Sequence, residues 1–402
     1  MNIPAFTKPA SSSNLDSYQI RKTENVNTAI KIEWADGHKS TFHHVWLRHN
    51  CSCDACRHAG TDQNMNLIEN ISLECHPTIL GNSTDVLELE WDGEEHRSIF
   101  KASWLRDHCY SDVERQKRDL QPTLIDANFV KSIPRIDYHR YVDTDTGLLE
   151  VMQAVNEFGI ALVINAPSSD QTIVNLAQRF GPIRETNYGA INDMKVHVDK
   201  IVISYTDAAL TAHCDEPYCY EPLGIGFFHC MNSAIGVGGT SIFVDCFKIA
   251  EDIRQQDREA FDILTTVPLQ YMRDHPDEQE YRAEGTLIAT DYFGNVNGVR
   301  YAERPLAPLD IPGDLVMSYY RAFGEFTRRV RDPANEIRFK MDTGDVVVFD
   351  NQRMTHGRTA FSGNRHLRTA YVERDFFHSN LRLLSRRAGI SILGRLAGGA
   401  RR

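Results

Sequence analysis

Three cysteines lie within one short stretch, Cys51-Ser-Cys53-Asp-Ala-Cys56. Thiolates this close together are typical of metal binding, and the odd total of nine cysteines argues against a disulfide framework. A tetrahedral structural zinc needs a fourth ligand, and His96 is favoured because a duplicated hairpin, described below, would bring it to the cysteine loop. The rival candidates are His58, His108 and Cys109. Four protein ligands leave no position open for chemistry, so this zinc would be structural.

A second metal pattern, His-x-Asp, occurs three times. Non-haem Fe(II) oxygenases hold iron with two histidines and one carboxylate and leave positions open for a cosubstrate and O2. The triplet at 197–199 resembles a solvated strand end, and the triplet at 275–277 resembles a turn. His213-Cys-Asp215 lies between a turn and an apolar strand, as expected at the mouth of a barrel. His213 and Asp215 are therefore the predicted iron ligands.

His356 is the predicted distant ligand, because it follows a buried strand at 346–349 and precedes a glycine. Nine residues later, Arg365 begins a stretch that runs into another strand. A buried arginine there would bind a carboxylate in a bidentate manner. Thr240 and Ser241 would offer hydroxyl groups to the same carboxylate. An iron triad beside a carboxylate clamp indicates 2-oxoglutarate as the cosubstrate.

Two kinds of segment position these residues. The first contains an internal duplication with an offset of 58 residues, which relates His38, Phe42, Trp46 and Cys51 to His96, Phe100, Trp104 and Cys109. Alternating runs at 29–34 and 86–91 each lead into a glycine-containing turn and a second short run. Each copy therefore predicts a β-hairpin followed by a short helical segment.

The second kind of segment mixes short strands with helices. The sequence predicts helices at 147–158, 171–180, 249–266 and 314–330. It predicts strands at 160–164, 201–205, 225–230, 346–349 and 369–372. This arrangement favours a β-barrel or β-sandwich buttressed by helices.

The predicted organisation has five parts. They are an N-terminal extension at 1–28, a zinc-binding domain of duplicated β-hairpins at 29–112, a polar linker at 113–145, an iron- and 2-oxoglutarate-dependent catalytic domain at 146–382, and a basic tail at 383–402.

Composition excludes several classes of protein. The 402 residues are 42% hydrophobic and 25% charged, as in an ordinary globular enzyme and unlike a disordered chain, a collagen or a coiled coil. The 44 basic and 55 acidic residues give a net charge of -11, which argues against a general nucleic-acid binder. No apolar run is long enough for a membrane span, and the first residues lack the pattern of a secretory signal. A cytoplasmic location is therefore expected.

Several motifs taken together are specific: Trp46-Leu-Arg-His-Asn-Cys-Ser-Cys-Asp-Ala-Cys56, His213-Cys-Asp215, Phe228-His-Cys230, Gly344-Asp345, Phe349-Asp-Asn351, His356-Gly-Arg358 and Arg365-His-Leu. They resemble the γ-butyrobetaine hydroxylase-like branch of the Fe(II)/2-oxoglutarate dioxygenases, in the taurine dioxygenase superfamily. The resemblance covers about residues 30–380.

The resemblance implies a mainly β fold with helices, in which a double-stranded β-helix (jelly-roll) core follows a small N-terminal zinc-binding β domain. It implies iron on His213, Asp215 and His356, and Arg365 on the 2-oxoglutarate carboxylate. It implies a zinc site formed by Cys51, Cys53, Cys56 and His96. It further implies a homodimer that oxidises a small quaternary ammonium substrate with O2 and releases succinate and CO2.

The resemblance also bears on the cationic end of the substrate. Tyr188, Tyr205 and Tyr371 match three positions of the aromatic cage that surrounds the trimethylammonium group in γ-butyrobetaine hydroxylases. The fourth cage position, a tryptophan in that family, is Asn192. Tyrosine ring faces attract a quaternary cation without a counter-ion. The cationic end of the site is therefore expected to be retained.

The acid end departs from the family pattern. Glu216 replaces a tyrosine, Val202 replaces an asparagine, and an asparagine-rich loop becomes Arg300-Tyr-Ala-Glu-Arg304. These changes favour a trimethylammonium compound with a different acid, such as 2-(trimethylammonio)ethylphosphonate, whose phosphonate would meet Arg300, Arg304 or Asn297. The alternative is a γ-butyrobetaine hydroxylase that makes carnitine.

Two rival functions belong to other classes. One is a non-catalytic interaction protein with a zinc domain, and the complete triad and Arg365 argue against it. The other is a hydrolase with Cys214 or Cys219 as nucleophile, but neither cysteine is expected at a helix N-terminus.

Overall fold

The computed structural model describes residues 18–81, 83–119, 121–195, 206–233, 238–275 and 279–390. The chain divides into two compact units, Met1–Leu120 with Ile390–Arg402, and Gln121–Gly389. Within the described ranges, no helix is both long and apolar enough to cross a membrane.

The first unit contains two three-stranded antiparallel sheets. One sheet consists of β1 (Ile20–Val26), β2 (Ala29–Trp34) and β3 (Lys39–His43), and the other of β4 (Pro77–Leu80), β5 (Val86–Trp91) and β6 (Arg97–Lys101). The helices are α1 (His44–His49), α2 (Ala102–Asp107) and α3 (Asp112–Lys117), with a 3-10 turn at Ile68–Asn70. The predicted hairpin-plus-helix is thus confirmed in both copies, as β2-β3-α1 and β5-β6-α2. The third strands, β1 and β4, were not predicted.

Equivalent tryptophans anchor the two sheets of this unit. Trp34 and Trp91 are fully buried in one shared hydrophobic core. The indole N–H of Trp34 donates to Ser40 at 2.8 Å, and that of Trp91 donates to Ser98 at 2.9 Å. Each ring is therefore buried without an unsatisfied donor. The duplication seen in the sequence is repeated in the packing of the core.

The second unit is built on two larger sheets. A six-stranded sheet has the order β7-β8-β18-β11-β20-β9, from β7 (Arg135–Asp137), β8 (Ile160–Ile164), β9 (Asn192–Lys195), β11 (Ile225–Asn232), β18 (Val346–Asp350) and β20 (His366–Val372). A four-stranded sheet has the order β10-β19-β12-β17, from β10 (Leu210–His213), β12 (Ser241–Asp245), β17 (Ile337–Phe339) and β19 (Met354–Arg358). The unit also contains two two-stranded sheets. One pairs β13 (Pro268–His275) with β14 (Gln279–Thr286), and the other pairs β15 (Ile288–Thr290) with β16 (Val296–Val299).

Helices accompany these sheets. They are α4 (Tyr138–Asp143), α5 (Asp145–Phe158), α6 (Asp170–Gln178), α7 (Cys246–Gln256), α8 (Arg258–Thr266), α9 (Val316–Val330) and α10 (Arg374–Arg387), with a 3-10 turn at Ala127–Lys131.

The two sheets share one core. Phe228, Val347 and Phe349 from the six-stranded sheet pack in the same cluster as Phe243 and Met354 from the four-stranded sheet. The rings of Phe243 and Phe349 meet edge to face, with centroids 5.3 Å apart. Side chains alternate along a strand, so each sheet turns one apolar face towards the other. This architecture confirms the expected jelly-roll core with helices and a small β domain before it.

Three expectations about local structure have different outcomes. Residues 113–145, expected to be a polar linker, contain most of α3, the 3-10 turn, β7 and α4. The helix expected at 249–266 is two helices, because the Asp257 carboxylate accepts a hydrogen bond from the Ala260 N–H at 3.0 Å and starts α8 there. The strand expected at 201–205 lies outside the described residues.

A buried ion pair fixes the chain between β18 and β19. The Arg353 guanidinium donates to Asp245 from Nε at 3.1 Å and from Nη2 at 2.7 Å, and both side chains are at most 2% exposed. The same guanidinium donates to the backbone carbonyls of Glu157 at 3.0 Å and Thr123 at 2.6 Å. One side chain therefore joins four segments of the second unit.

We expect Arg353→Met to destabilise the protein by about 3–5 kcal/mol, because it leaves the Asp245 carboxylate buried without its cation. Urea unfolding measures this loss. Arg258→Met is the control, since it removes an exposed ion pair with Asp262 and should cost at most about 1 kcal/mol. Equal losses in the two variants would contradict this role for Arg353.

Candidate functional site

Strand register brings the two predicted iron histidines together. In the antiparallel pair β10–β19, His213 lies directly opposite His356, and their ring centroids are 4.8 Å apart. The Asp215 carboxylate lies between them, 3.3 Å from His213 Nε2 and 3.1 Å from His356 Nε2. One donor atom from each of the three residues lies within 4.8 Å of the others. The group has the composition of a two-histidine, one-carboxylate iron site.

Gly357 permits this close pairing of strands. A Cβ at this position would lie 2.5 Å from the Leu210 carbonyl oxygen and 2.9 Å from the Ala212 nitrogen. Backbone atoms cannot move aside as a flexible side chain can. The glycine after His356 therefore lets β10 approach β19 closely enough for the histidines to meet.

The histidine tautomer suits metal binding. His213 Nδ1 lies 2.9 Å from the Thr211 carbonyl oxygen, so Nδ1 carries the proton and Nε2 keeps a free lone pair towards Asp215. His356 is 4% exposed, and burial lowers the pKa of its imidazole. Burial therefore favours the neutral state of the His356 ring, which a metal ligand requires.

Asp215 is held in place through its backbone and its carboxylate. Its N–H donates to Asn351 Oδ1 at 2.9 Å, and its carbonyl accepts from Asn351 Nδ2 at 3.2 Å. The Tyr371 hydroxyl donates to the carboxylate. Burial raises the pKa of Asp215, but the neighbouring His356 and His213 outweigh this effect and hold the pKa well below its usual range. Asn351 stood in a quoted motif but received no role in the sequence analysis.

A cavity of about 460 Å³ opens beside the triad. Three residues expected at the cationic end of the substrate, Tyr188, Asn192 and Tyr371, line it. Tyr205, the remaining cage candidate, lies outside the described residues, as do the His-x-Asp triplet at 197–199 and most of the one at 275–277.

Two arginines line this cavity, and one of them, Arg304, was a candidate for the acid end. The other is Arg273, whereas Arg300 is not part of the lining. The Arg300 guanidinium donates to the backbone carbonyl of Tyr220 at 3.1 Å. Arg273 lies over the rings of Tyr188 and Tyr218, 5.3 Å and 5.8 Å from their centroids. The assignment of Arg300 to substrate binding stays a prediction.

Glu216 lines the same cavity next to Asp215. Its side chain is buried, and its backbone has the left-handed φ of 48°. Burial, followed by the negative charge of Asp215, raises the pKa of its carboxyl to about 7. The sequence analysis noted Glu216 only as a departure from a family pattern.

A second, much smaller cavity of about 20 Å³ also borders His356. Arg365, Arg358 and Ser241 line it. Burial, followed by repulsion from Arg365, lowers the pKa of Arg358 to about 10. The guanidinium groups of Arg358 and Arg365 repel each other, so a bound anion would stabilise both, and the carboxylate of 2-oxoglutarate would supply that anion.

Thr240 does not line this second cavity. Its backbone N–H instead bonds the Thr359 hydroxyl oxygen at 3.1 Å. Ser241 does line this cavity, and the assignment of Thr240 stays a prediction. Arg358 was missed, although it stands in the His356-Gly-Arg358 motif.

The cysteines considered for a hydrolase are unsuited to nucleophilic attack. Burial raises the pKa of Cys214 well above its usual value. Burial and the Glu216 charge raise the pKa of Cys219 to about 12. Both side chains are therefore thiols near neutral pH, and the thiolate is the nucleophile.

In the first unit, His96 meets the three crowded cysteines. Its Nε2 lies 3.4 Å from Cys51 Sγ, 3.9 Å from Cys53 Sγ and 3.7 Å from Cys56 Sγ. Burial and the nearby Cys51 sulfur raise the pKa of Cys56 to about 12, so a bound cation would be needed to keep this thiol ionised at neutral pH. This donor set is typical of structural zinc.

The rival fourth ligands have other partners. His108 Nδ1 bonds the Trp104 carbonyl oxygen at 2.7 Å, and His58 Nδ1 accepts from the Thr61 N–H at 3.2 Å. Cys109 Sγ lies 3.4 Å from His38 Nε2. This pair is equivalent to Cys51–His96, with the two copies of the duplication exchanged.

The second copy of the duplication lacks the full ligand set. With the offset of 58 residues, Ser111 stands where the first copy has Cys53, and Glu114 stands where it has Cys56. Arg106 Nη1 lies 2.8 Å from the Glu114 carboxylate, as Arg48 Nη1 lies 3.4 Å from Cys56 Sγ. An ion pair and hydrogen bonds therefore take the place that a metal would have in this copy.

Comparison with known proteins agrees with this geometry. The family model "Taurine catabolism dioxygenase TauD, TfdA family" matches residues 116–371, and "Gamma-butyrobetaine hydroxylase-like, N-terminal" matches residues 21–78. The chain belongs to the TauD/TfdA dioxygenase family. It is thus a non-haem Fe(II)/2-oxoglutarate-dependent dioxygenase, and the sequence-based family assignment is confirmed.

Two relatives illustrate the branch. The chain is 31% identical to a gamma-butyrobetaine dioxygenase of Pseudomonas sp. (strain AK-1) over 366 residues, which is 89% of this chain and 94% of that protein. It is 32% identical to a mitochondrial trimethyllysine dioxygenase of Bos taurus over 357 residues, which is 86% of this chain and 83% of that protein.

We expect Cys53→Ser to remove about one zinc per chain and to lower the melting temperature by at least ~5 °C, because structural zinc contributes directly to folding. Metal analysis and thermal unfolding measure the two effects. Cys75→Ser is the control, since Cys75 is a half-buried cysteine outside the cluster, and it should keep its zinc. Full zinc content in Cys53→Ser would refute the assignment.

Proposed function

We propose that the protein hydroxylates a small trimethylammonium acid, with 2-(trimethylammonio)ethylphosphonate favoured and γ-butyrobetaine as the alternative. The observation that carries this proposal is one cavity that joins the His213–Asp215–His356 group, tyrosine rings and arginines, of which Arg273 has an Nε without a partner among the described residues. Relatives that act on γ-butyrobetaine or trimethyllysine support the trimethylammonium class.

In this proposal each residue has a defined task. His213, Asp215 and His356 would hold iron, and Arg365 with Arg358 would hold the distal carboxylate of 2-oxoglutarate. When bound, iron with 2-oxoglutarate and O2 supplies the oxidation of a C–H bond. Asn351 keeps Asp215 in position, and the Thr211 carbonyl fixes the His213 tautomer.

The tyrosines would bind the cationic end of the substrate. Tyr188 presents a ring that already lies beside a cation, the Arg273 guanidinium. Tyr371 donates its hydroxyl proton to Asp215, which leaves its ring at the cavity wall. A trimethylammonium group has no N–H donor, so ring faces suit it better than a hydrogen-bond acceptor does.

Arg304, rather than Arg300, would meet the acid. Burial lowers the pKa of Arg304, which indicates a partly desolvated cation. Its Nη2 donates to the Thr211 hydroxyl at 3.2 Å, so its remaining donors are available within the described part of the chain. A phosphonate carries more charge than a carboxylate and gains more from such a partner.

A substrate-triggered succinate assay tests the proposal. We expect 2-(trimethylammonio)ethylphosphonate to give a higher kcat/KM than γ-butyrobetaine or trimethyllysine in a direct competition. His213→Ala should abolish succinate formation with every compound. If kcat/KM is tenfold or more higher for γ-butyrobetaine than for the phosphonate, the protein is a butyrobetaine hydroxylase with a divergent acid site. Activity in His213→Ala would refute the iron assignment.

Tyr188→Leu tests the cationic end. Loss of a desolvated cation–π contact of ~2 kcal/mol should raise the dissociation constant of γ-butyrobetaine by about ten- to thirtyfold. The neutral isostere 5,5-dimethylhexanoate, in which carbon replaces the quaternary nitrogen, should lose almost nothing. Competitive inhibition by each ligand provides the measurement. Equal losses for the cation and the isostere would mean that Tyr188 supplies only bulk.

A further inference from the structure

Glu216 has a carboxyl oxygen without a partner. Its side chain is 7% exposed, and its Oε2 accepts a weak hydrogen bond from Cys219 Sγ at 3.5 Å. Its Oε1 is buried and has no hydrogen-bond partner among the described residues. Buried polar atoms are nearly always paired, so an unpaired acceptor on a cavity wall suggests that a ligand supplies the donor.

The strained backbone conformation of Glu216 supports a functional role for this residue. Its φ of 48° places a glutamate in the left-handed region, where residues other than glycine are uncommon. Such strain collects at functional sites, where the surrounding structure holds it in place. Here the residue adjoins Asp215 and lines the cavity.

The charges around Glu216 limit what the donor can be. Arg273 lines the same cavity with its Nε buried and unpartnered among the described residues, and Arg304 lies in the same wall. These cations suit an anionic group. When Glu216 is ionised, a plain carboxylate or sulfonate would bring negative charge to it without offering a proton to its free oxygen. The ligand group beside Glu216 should therefore combine negative oxygens with a hydrogen-bond donor.

We propose that Glu216 determines specificity by accepting a hydrogen bond from a donor at the acid end of the substrate. This inference rests on the proposed function and narrows it. Two kinds of acid end share this chemistry. One is a hydrogen phosphonate, whose P–O–H group donates. The other is a carboxylate with a neighbouring ammonium group, whose N–H donates.

Matched pairs of ligands distinguish the two possible hydrogen-bond donors, the P–O–H group and the ammonium N–H. 2-(Trimethylammonio)ethylphosphonate and its sulfonate isostere differ in the P–O–H donor. Trimethyllysine and 6-trimethylammoniohexanoate differ in the ammonium donor. Dissociation constants are measured anaerobically with the Fe(II)- and 2-oxoglutarate-loaded enzyme, for the wild type, Glu216→Gln and Glu221→Gln. Glu221 is an exposed glutamate five residues away and serves as the matched control.

We expect the donor-bearing member of at least one pair to bind about ten- to a hundredfold more tightly in the wild type, as for a hydrogen bond to a charged group. Glu216→Gln should lower that ratio about tenfold, because its amide oxygen still accepts a hydrogen bond but carries no charge, while Glu221→Gln should leave the ratio unchanged. A ratio confined to the phosphonate pair identifies the hydrogen phosphonate, and a ratio confined to the lysine pair identifies the ammonium. The dissociation constant of 2-oxoglutarate should not change in either variant.

Other outcomes overturn the inference. Ratios near one in the wild type, a ratio that is the same in Glu216→Gln as in the wild type, or tighter phosphonate binding in that variant would each show that Glu216 does not receive a donor. If all four ligands bind equally well, only the Glu216 assignment fails. If none of them binds while 2-oxoglutarate does, the proposed trimethylammonium function fails, and this inference fails with it.

Discussion

The catalytic centre depends on one cross-strand pair. His213 and His356 meet because β10 and β19 pair in a single register, and a shift of one residue would turn one ring to the opposite face of the sheet. Gly357 allows the close approach, and Asn351 ties Asp215 to the turn between β18 and β19. His356 is distant in sequence from His213 and Asp215, so β10 and β19 have to pair before a metal can meet all three. The buried Arg353–Asp245 pair stabilises the same turn.

The position of His356 links the two cavities. It borders both the large cavity with the tyrosines and the small cavity with Arg358 and Arg365. A substrate and a cosubstrate bound in these cavities would therefore lie near one metal, because the two linings share His356, Met194 and Leu210. The two surfaces also differ in charge. The small cavity has two crowded cations, whereas the large one has carboxylates and cations side by side. This difference would keep 2-oxoglutarate and the substrate in separate places.

In the first unit, equivalent positions of the two duplicated hairpins are filled by different groups. Both copies of the duplicated hairpin have a histidine opposite a cysteine, and both have an arginine paired with a carboxylate across the copies: Arg48 with Glu94, and Arg106 with Asp36. The first copy has three cysteines, and they surround His96 of the second copy. In the second copy, Glu114 and its ion pair with Arg106 fill the equivalent space. A set of candidate metal ligands and an ion pair thus occupy equivalent positions in the same local fold.

The sequence by itself determined the family, the jelly-roll core, the duplicated hairpins and the candidate ligands of both metal sites. These features depend on residue type and on short spacings, which a linear pattern records directly. It could not show that Ser241 lines the small cavity while Thr240 does not, or that Arg304 lines the large cavity while Arg300 does not, because these differences depend on where each side chain lies in the folded chain. It gave no role to Asn351, because Asn351 acts on Asp215, which is distant in the chain. It gave no role to Glu216 or Arg358, because their positions on cavity walls appear only in the folded chain. Only the tertiary structure decided which polar atoms are satisfied within the protein and which remain available to a ligand.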